Sequence, residues 1–117
     1  MYQLKDKQTK WGIWSMRKCA QKRNLTVDQF FDDVAKLATS GQATLDYLLS
    51  LVSDMIWAAH LHATGNELSE QEIFDLIDEC GGIKAINGEE LNGFLNYVAS
   101  TMANGVTKTE EEGKKKE

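Results

Sequence analysis

Between Ala43 and Thr64 the chain runs for 22 residues with almost no polar side to its helical wheel. As a helix this segment would span roughly 33 Å. Leu45, Leu48, Leu49, Val52, Ile56 and Ala59 fall on one stripe. Tyr47, Leu51, Met55, Ala58 and Leu61 widen it until only Asp46, Ser50, Ser53 and Asp54 form a polar strip. A helix so nearly apolar around its circumference has to be covered from several sides, so it belongs at the centre of a bundle. Asp54 and two histidines interrupt the segment, and it does not read as a plain membrane span.

The flanking sequence supplies the cover. There is no proline, which removes the usual breaker of helices. After Thr9, a candidate N-cap, residues 10 to 24 read as a first helix with Ile13, Met16 and Ala20 on one face. Thr26-Val-Asp-Gln29 has capping-box spacing and opens a second helix whose stripe is Val27, Phe30, Phe31, Val34, Leu37 and Ala38, ending before Ser40-Gly41. Gly65-Asn66 stops the central helix. Ser69-Glu-Gln-Glu72 is the clearest capping box, followed by Ile73, Leu76, Ile77 and Cys80 and stopped at Gly81-Gly82. Asn87 with Glu90 starts a fifth helix through Leu91, Phe94, Leu95, Val98, Ala99 and Met102 to Asn104-Gly105. The expected fold is therefore all-α, a five-helix bundle around residues 43–64. Residues 1–9 form an N-terminal extension in which Met1 to Leu4 could add a short strand, and residues 10–105 form the helical domain. Residues 106–117, nearly all Thr, Glu, Gly and Lys, read as a disordered charged tail.

With 117 residues the chain holds one domain's worth of core. Its formal charge of −5 argues against nonspecific binding to nucleic acid or acidic membranes by the protein as a whole. The charge is unevenly distributed. Residues 1–25 hold seven Lys or Arg against one Asp, residues 26–105 hold two Lys against thirteen Asp or Glu, and the tail is balanced. No signal-peptide or lipid-anchor pattern opens the sequence, and Cys19 and Cys80 lack framework spacing, so a reduced cytoplasmic setting is expected.

Catalytic and metal chemistry find little support. His60 and His62 are two apart, which on a helix turns them about 200° from each other, so they cannot share an ion. Asp78 and Glu89 stand at the ends of an EF-hand-length loop, but Cys80 and Gly82 offer no side-chain oxygen and Ile83 occupies the position that needs glycine. No GxSxG elbow or phosphate loop is present. Asp28, Asp32 and Asp33 read as a solvated helix face. The expectation is a protein that is not an enzyme and has no metal or cofactor.

What remains is a surface. Trp11 and Trp14 fall with Lys18 and Lys22 on the side of the first helix opposite Ile13, Met16 and Ala20. Either the two tryptophans cover the bundle's open edge, or they form an aromatic and basic patch of the kind enriched at interfaces. The acidic body could answer such a patch from a neighbouring copy, head to tail, giving a homo-oligomer, or the basic segment could fold back onto its own body.

The order of these segments resembles the tail assembly chaperones of long-tailed bacteriophages and prophages. The likeness is carried by Leu25-Thr-Val-Asp-Gln-Phe-Phe-Asp-Asp-Val-Ala-Lys-Leu37, by the apolar helix ending in Trp57-Ala-Ala-His-Leu-His62, and by Leu68-Ser-Glu-Gln-Glu-Ile-Phe-Asp-Leu-Ile-Asp-Glu79 with Gly81-Gly82. It implies a small helical, non-enzymatic protein of the bacterial host cytoplasm. Such a protein binds the tape measure protein, keeps its apolar helices in solution and helps recruit the tail tube protein. Met16, Met55 and Met102 would add adaptable surface if they line a helix-binding groove. The alternative is a small helical regulator or adaptor whose Lys10, Arg17, Lys18, Lys22 and Arg23 contact nucleic acid or an acidic partner.

Overall fold

Three of the helices begin where a Ser or Thr hydroxyl accepts from the amide three residues on and so satisfies one of the first free amides. In the computed structural model, which describes the backbone of residues 1–40, 44–81 and 91–102 and their side chains except those of 36–40, five helices follow one short hairpin. The hairpin is β1 (Tyr2–Leu4) and β2 (Lys7–Thr9). The helices are α1 (Ile13–Lys22), α2 (Val27–Ser40), α3 (Leu45–Thr64), α4 (Glu70–Glu79) and α5 over residues 91–102. The expected stops at Gly41, Gly82 and Asn104-Gly105, the start of α5 at Asn87 with Glu90, and the tail 106–117 lie outside the described residues.

The capping signals act as their spacing predicts. Gln29 N–H donates to Thr26 Oγ1 (3.1 Å) while Thr26 N–H donates to Gln29 Oε1 (2.9 Å). Ser69 and Glu72 exchange the same pair at 3.1 Å each. The bond from the Ser69 amide also holds the Glu72 carboxyl below its ordinary range. Thr44 caps α3 through Tyr47 N–H, and Gly65, at φ 78, ends it in the left-handed conformation. At the end of α1, Asn24 takes the left-handed position (φ 59), so that Leu25 N–H reaches Ala20 O and Asn24 N–H reaches Gln21 O. This closes the helix and turns Leu25 toward the core.

The first helix does not start after Thr9. Thr9 ends β2, where its hydroxyl donates to the Tyr2 carbonyl, and Lys10 N–H donates to Ala59 O on α3. The chain therefore runs along α3 for three more residues and enters α1 at Ile13, with Gly12 as the cap residue. β1 and β2 pair antiparallel, Tyr2 with Thr9 and Leu4 with Lys7, across a two-residue turn. The possible strand at Met1 to Leu4 is thus one arm of a hairpin, and residues 1–9 are not peripheral. Leu4 and Thr9 are fully buried, and His60 Nδ1 donates to Gln8 O (2.9 Å). Tyr2 stacks on Tyr97 and tilts against Phe94 of α5. Gly93 permits this approach, because a Cβ there would overlap the Tyr2 hydroxyl.

α3 is the centre, packed by α1, β2 and α4. Leu51, Val52, Met55, Ile56, Ala58 and Ala59 are buried, joined by Phe30 from α2, by Ile73, Leu76 and Ile77 from α4, and by Leu91, Phe94 and Val98 from α5. Full burial of such a side chain stabilises by about 1.5–3 kcal/mol relative to exposure. Even the polar strip of α3 is used: Arg23 Nη1 donates to Asp54 Oδ2 (2.9 Å) and Ser50 Oγ (3.1 Å), and its guanidinium lies 5.6 Å from the Tyr47 ring.

Ser69→Ala should lower stability by about 1 kcal/mol, because the Glu72 amide loses its acceptor, whereas Gln71→Ala on the exposed face should cost much less. Thermal melts compare the two, and equal losses would show that the box at α4 contributes nothing particular.

Candidate functional site

The late start of α1 decides which aromatic residues face solvent. Trp11 precedes the helix and turns inward: only 3% exposed, it packs 6.1 Å from Phe30, and its backbone N–H donates to the Tyr97 hydroxyl (3.0 Å). Its indole Nε1 is buried with no acceptor among the described residues. Trp14, on the first turn of α1, is 43% exposed, with its ring centroid 5.0 Å from that of His62 and the Lys18 ammonium 5.5 Å above it. Lys22 lies elsewhere, 4.7 Å over Trp57 of α3. The four residues singled out from the sequence therefore do not make one patch. Trp14 and Lys18 share an exposed edge of α1, Lys22 belongs to a neighbouring groove, and Trp11 is core.

Two grooves flank α1. The first is apolar and encloses about 580 Å³ between α1, α2 and α5. Ile13 and Met16 line it from α1, Val27 and Phe31 from α2, and Met102 from the last turn of α5, with Trp11 behind them. Ile13 is 80% exposed and Phe31 39%. Asp28 is the ionisable group of this lining. Of the three methionines considered as adaptable surface, Met16 and Met102 are here, and Met55 is core. The spacing of α1 assigns Ile13 only to a helix stripe. Its exposure follows from the position of α2, which the periodicity of α1 does not report.

The second groove, about 590 Å³, lies between α3, α4 and the end of α1. Trp57, Leu49 and Phe74 supply apolar wall, and Asp46, Glu67, Glu70 and Glu72 supply negative charge beside Lys22. Trp57 Nε1 donates to Glu67 Oε1 (3.1 Å), which fixes the indole in the groove.

The candidate chemical residues have structural partners. Ser15 Oγ accepts from Gly12 N–H (2.8 Å) and lies within hydrogen-bond distance of Gly12 O (3.1 Å) and of His62 Nδ1 (3.2 Å). His60 points instead to the hairpin. Among the described residues no three His, Cys, Asp or Glu side chains gather closely enough to hold a metal ion. Burial is the main influence raising the Cys19 thiol far above its ordinary range, so it stays protonated, and Cys80 is half-buried. Among the described residues no helix is long and apolar enough to cross a membrane. No family model, no curated protein and no solved structure matches the chain.

Two measurements follow from the packing of α1. Trp11→Ala opens a core cavity and should cost about 3–5 kcal/mol, whereas Trp14→Ala should cost about 1 kcal/mol or less. Chemical denaturation separates them, and similar losses would contradict the inward and outward assignment. His62 is held below its ordinary value of 6.5 by partial burial and then by the Lys10 ammonium. A histidine with a depressed folded pKa contributes stability that is present above the unfolded value and lost as pH falls through it. Melting temperature should therefore drop as pH falls below about 6.5, and less steeply in His62→Gln. Identical slopes would remove His62 from the account.

Proposed function

We propose that this protein is a non-enzymatic assembly chaperone of the long-tailed phage type. It lays an amphipathic helix of the tape measure protein into the apolar groove between α1, α2 and α5. It acts in the bacterial cytoplasm and helps recruit tail tube subunits. The observation that carries the reading is an isoleucine four-fifths exposed at the mouth of a groove backed by Trp11 and Phe31. A monomeric surface seldom leaves a contiguous apolar cleft of this kind without a partner. Its walls are helices, and a groove between helices accepts the i, i+3, i+4, i+7 stripe of another. Met16 and Met102 let the lining adapt to varied side chains, which suits a client with many similar apolar helices. Asp28 borders one wall, and the rest of the lining carries no charge. A cation beside the apolar stripe of the bound helix would meet it.

The regulator reading has less support. Of the five cations it calls on, Arg23 is engaged by Asp54 and Lys22 lies over Trp57 beside an acidic groove, which leaves Lys10, Arg17 and Lys18 to meet a phosphate backbone.

Co-expression with the tape measure protein of the same genome tests the proposal. The wild type should keep it in solution and co-purify with it. Ile13→Asp with Phe31→Ser should weaken that complex by about tenfold or more while the melting temperature stays near wild type, because both side chains are exposed. Undiminished co-purification of the double variant would sink the helix-in-groove assignment.

A further inference from the structure

The acidic groove lies outside that reading and has a complement on the same chain. Within one molecule the Lys22 ammonium already rests on Trp57, whose indole is held by Glu67, so the groove accommodates a cation on an aromatic face next to a carboxylate. The same pairing of chemistry stands unused on the outer edge of α1. There Trp14 is exposed, Lys18 lies over its ring, and Arg17 is exposed beside them. That edge cannot reach its own molecule's groove. Arg23 fastens the end of α1 to Asp54, so only the last turn, through Lys22, borders the groove, while Lys18 and Trp14 lie about 6 and 12 Å further back along the helix.

We propose that a second copy of this chain occupies the groove, its Trp14, Arg17 and Lys18 edge docking against Phe74, Glu67 and Glu70 in a head-to-tail contact. The choice of occupant rests on charge complementarity. The excess of cations in residues 1–25 meets the excess of carboxylates in residues 26–105, and within one molecule Arg23 and Lys22 meet only part of it. Such a contact joins two different surfaces, so each copy keeps one of each free and the association extends into chains or closes into a ring. It is independent of the apolar groove, so the Ile13 and Phe31 variants should assemble normally even if they fail to hold a client helix.

Sedimentation of the full chain tests the contact. At about 0.01 M salt the wild type should form species larger than dimers as concentration rises, and at about 1 M salt, where screening falls to roughly 3 Å, it should return to monomer. Two variants each remove one surface by neutralising its charged side chains. Arg17→Gln with Lys18→Gln removes the edge, and Glu67→Gln with Glu70→Gln removes the rim while leaving Trp57 its acceptor. Each alone should associate about tenfold more weakly or worse, and thermal melts should match wild type. Mixed together, they should form a one-to-one dimer and nothing larger, because only one intact edge and one intact groove remain to meet. A wild type that stays monomeric at low salt, assembly that survives either double variant, or a mixture that sediments as monomers would each overturn the proposal.

Discussion

A twenty-residue helix that is apolar on nearly every side cannot lie on a surface, and the arrangement of the other elements answers to that constraint. α3 takes α1 along one flank, β2 along another and α4 along a third. Each of these elements is short, ten residues for α1 and α4 and three for each strand, so none would be stable alone. Their stability comes from the area they share with Leu51, Val52, Ile56 and Ala59. The hairpin illustrates this: Leu4 and Thr9 are buried, and the backbone at Gln8 and Lys10 is tied to His60 and Ala59 of the central helix.

Electrostatics refine that arrangement rather than create it. Arg23 and Asp54 are both partly buried, and their bond carries α1 onto the polar strip of α3. Loss of one partner would leave a half-desolvated charge, so the pair fixes the position of α1 more than it adds stability. With α1 so fixed, its apolar side opens toward α2 and α5, its outer edge faces solvent, and its last turn reaches the acidic groove. One helix thereby borders the apolar groove and the acidic groove alike.

Features that depend on neighbours in sequence were legible in the sequence, and those that depend on distant neighbours were not. The Thr26–Gln29 and Ser69–Glu72 boxes join residues three apart, and the stripe of α3 is a property of one helix, so spacing alone located five helices and their centre. The hairpin depends on Tyr2 meeting Phe94 and Tyr97, and the inward turn of Trp11 depends on the Tyr97 hydroxyl, 86 positions away. Extending the first helix back to residue 10 placed Trp11 on a wheel to which it does not belong. That error joined it with Trp14, Lys18 and Lys22 in one patch, whereas the structure distributes the four among core, edge and groove. The flexibility of Met16 and Met102 makes them candidates for a groove, but the groove itself is a product of how three helices meet.

The close approach of Tyr2 to Gly93 also bears on how the molecule comes into being. The first strand also docks on the last helix, so during synthesis that part of its site is missing until some ninety further residues have left the ribosome, about 5–18 s at 5–20 residues per second. The apolar groove waits equally long, because Met102 of that helix forms one of its walls. A nascent chain therefore carries an unfinished cleft and a hairpin that has α3 to pack on but lacks its contact with α5, and both are completed in the same late event. Before that event the apolar residues of α1 and α2 are present but enclose no groove.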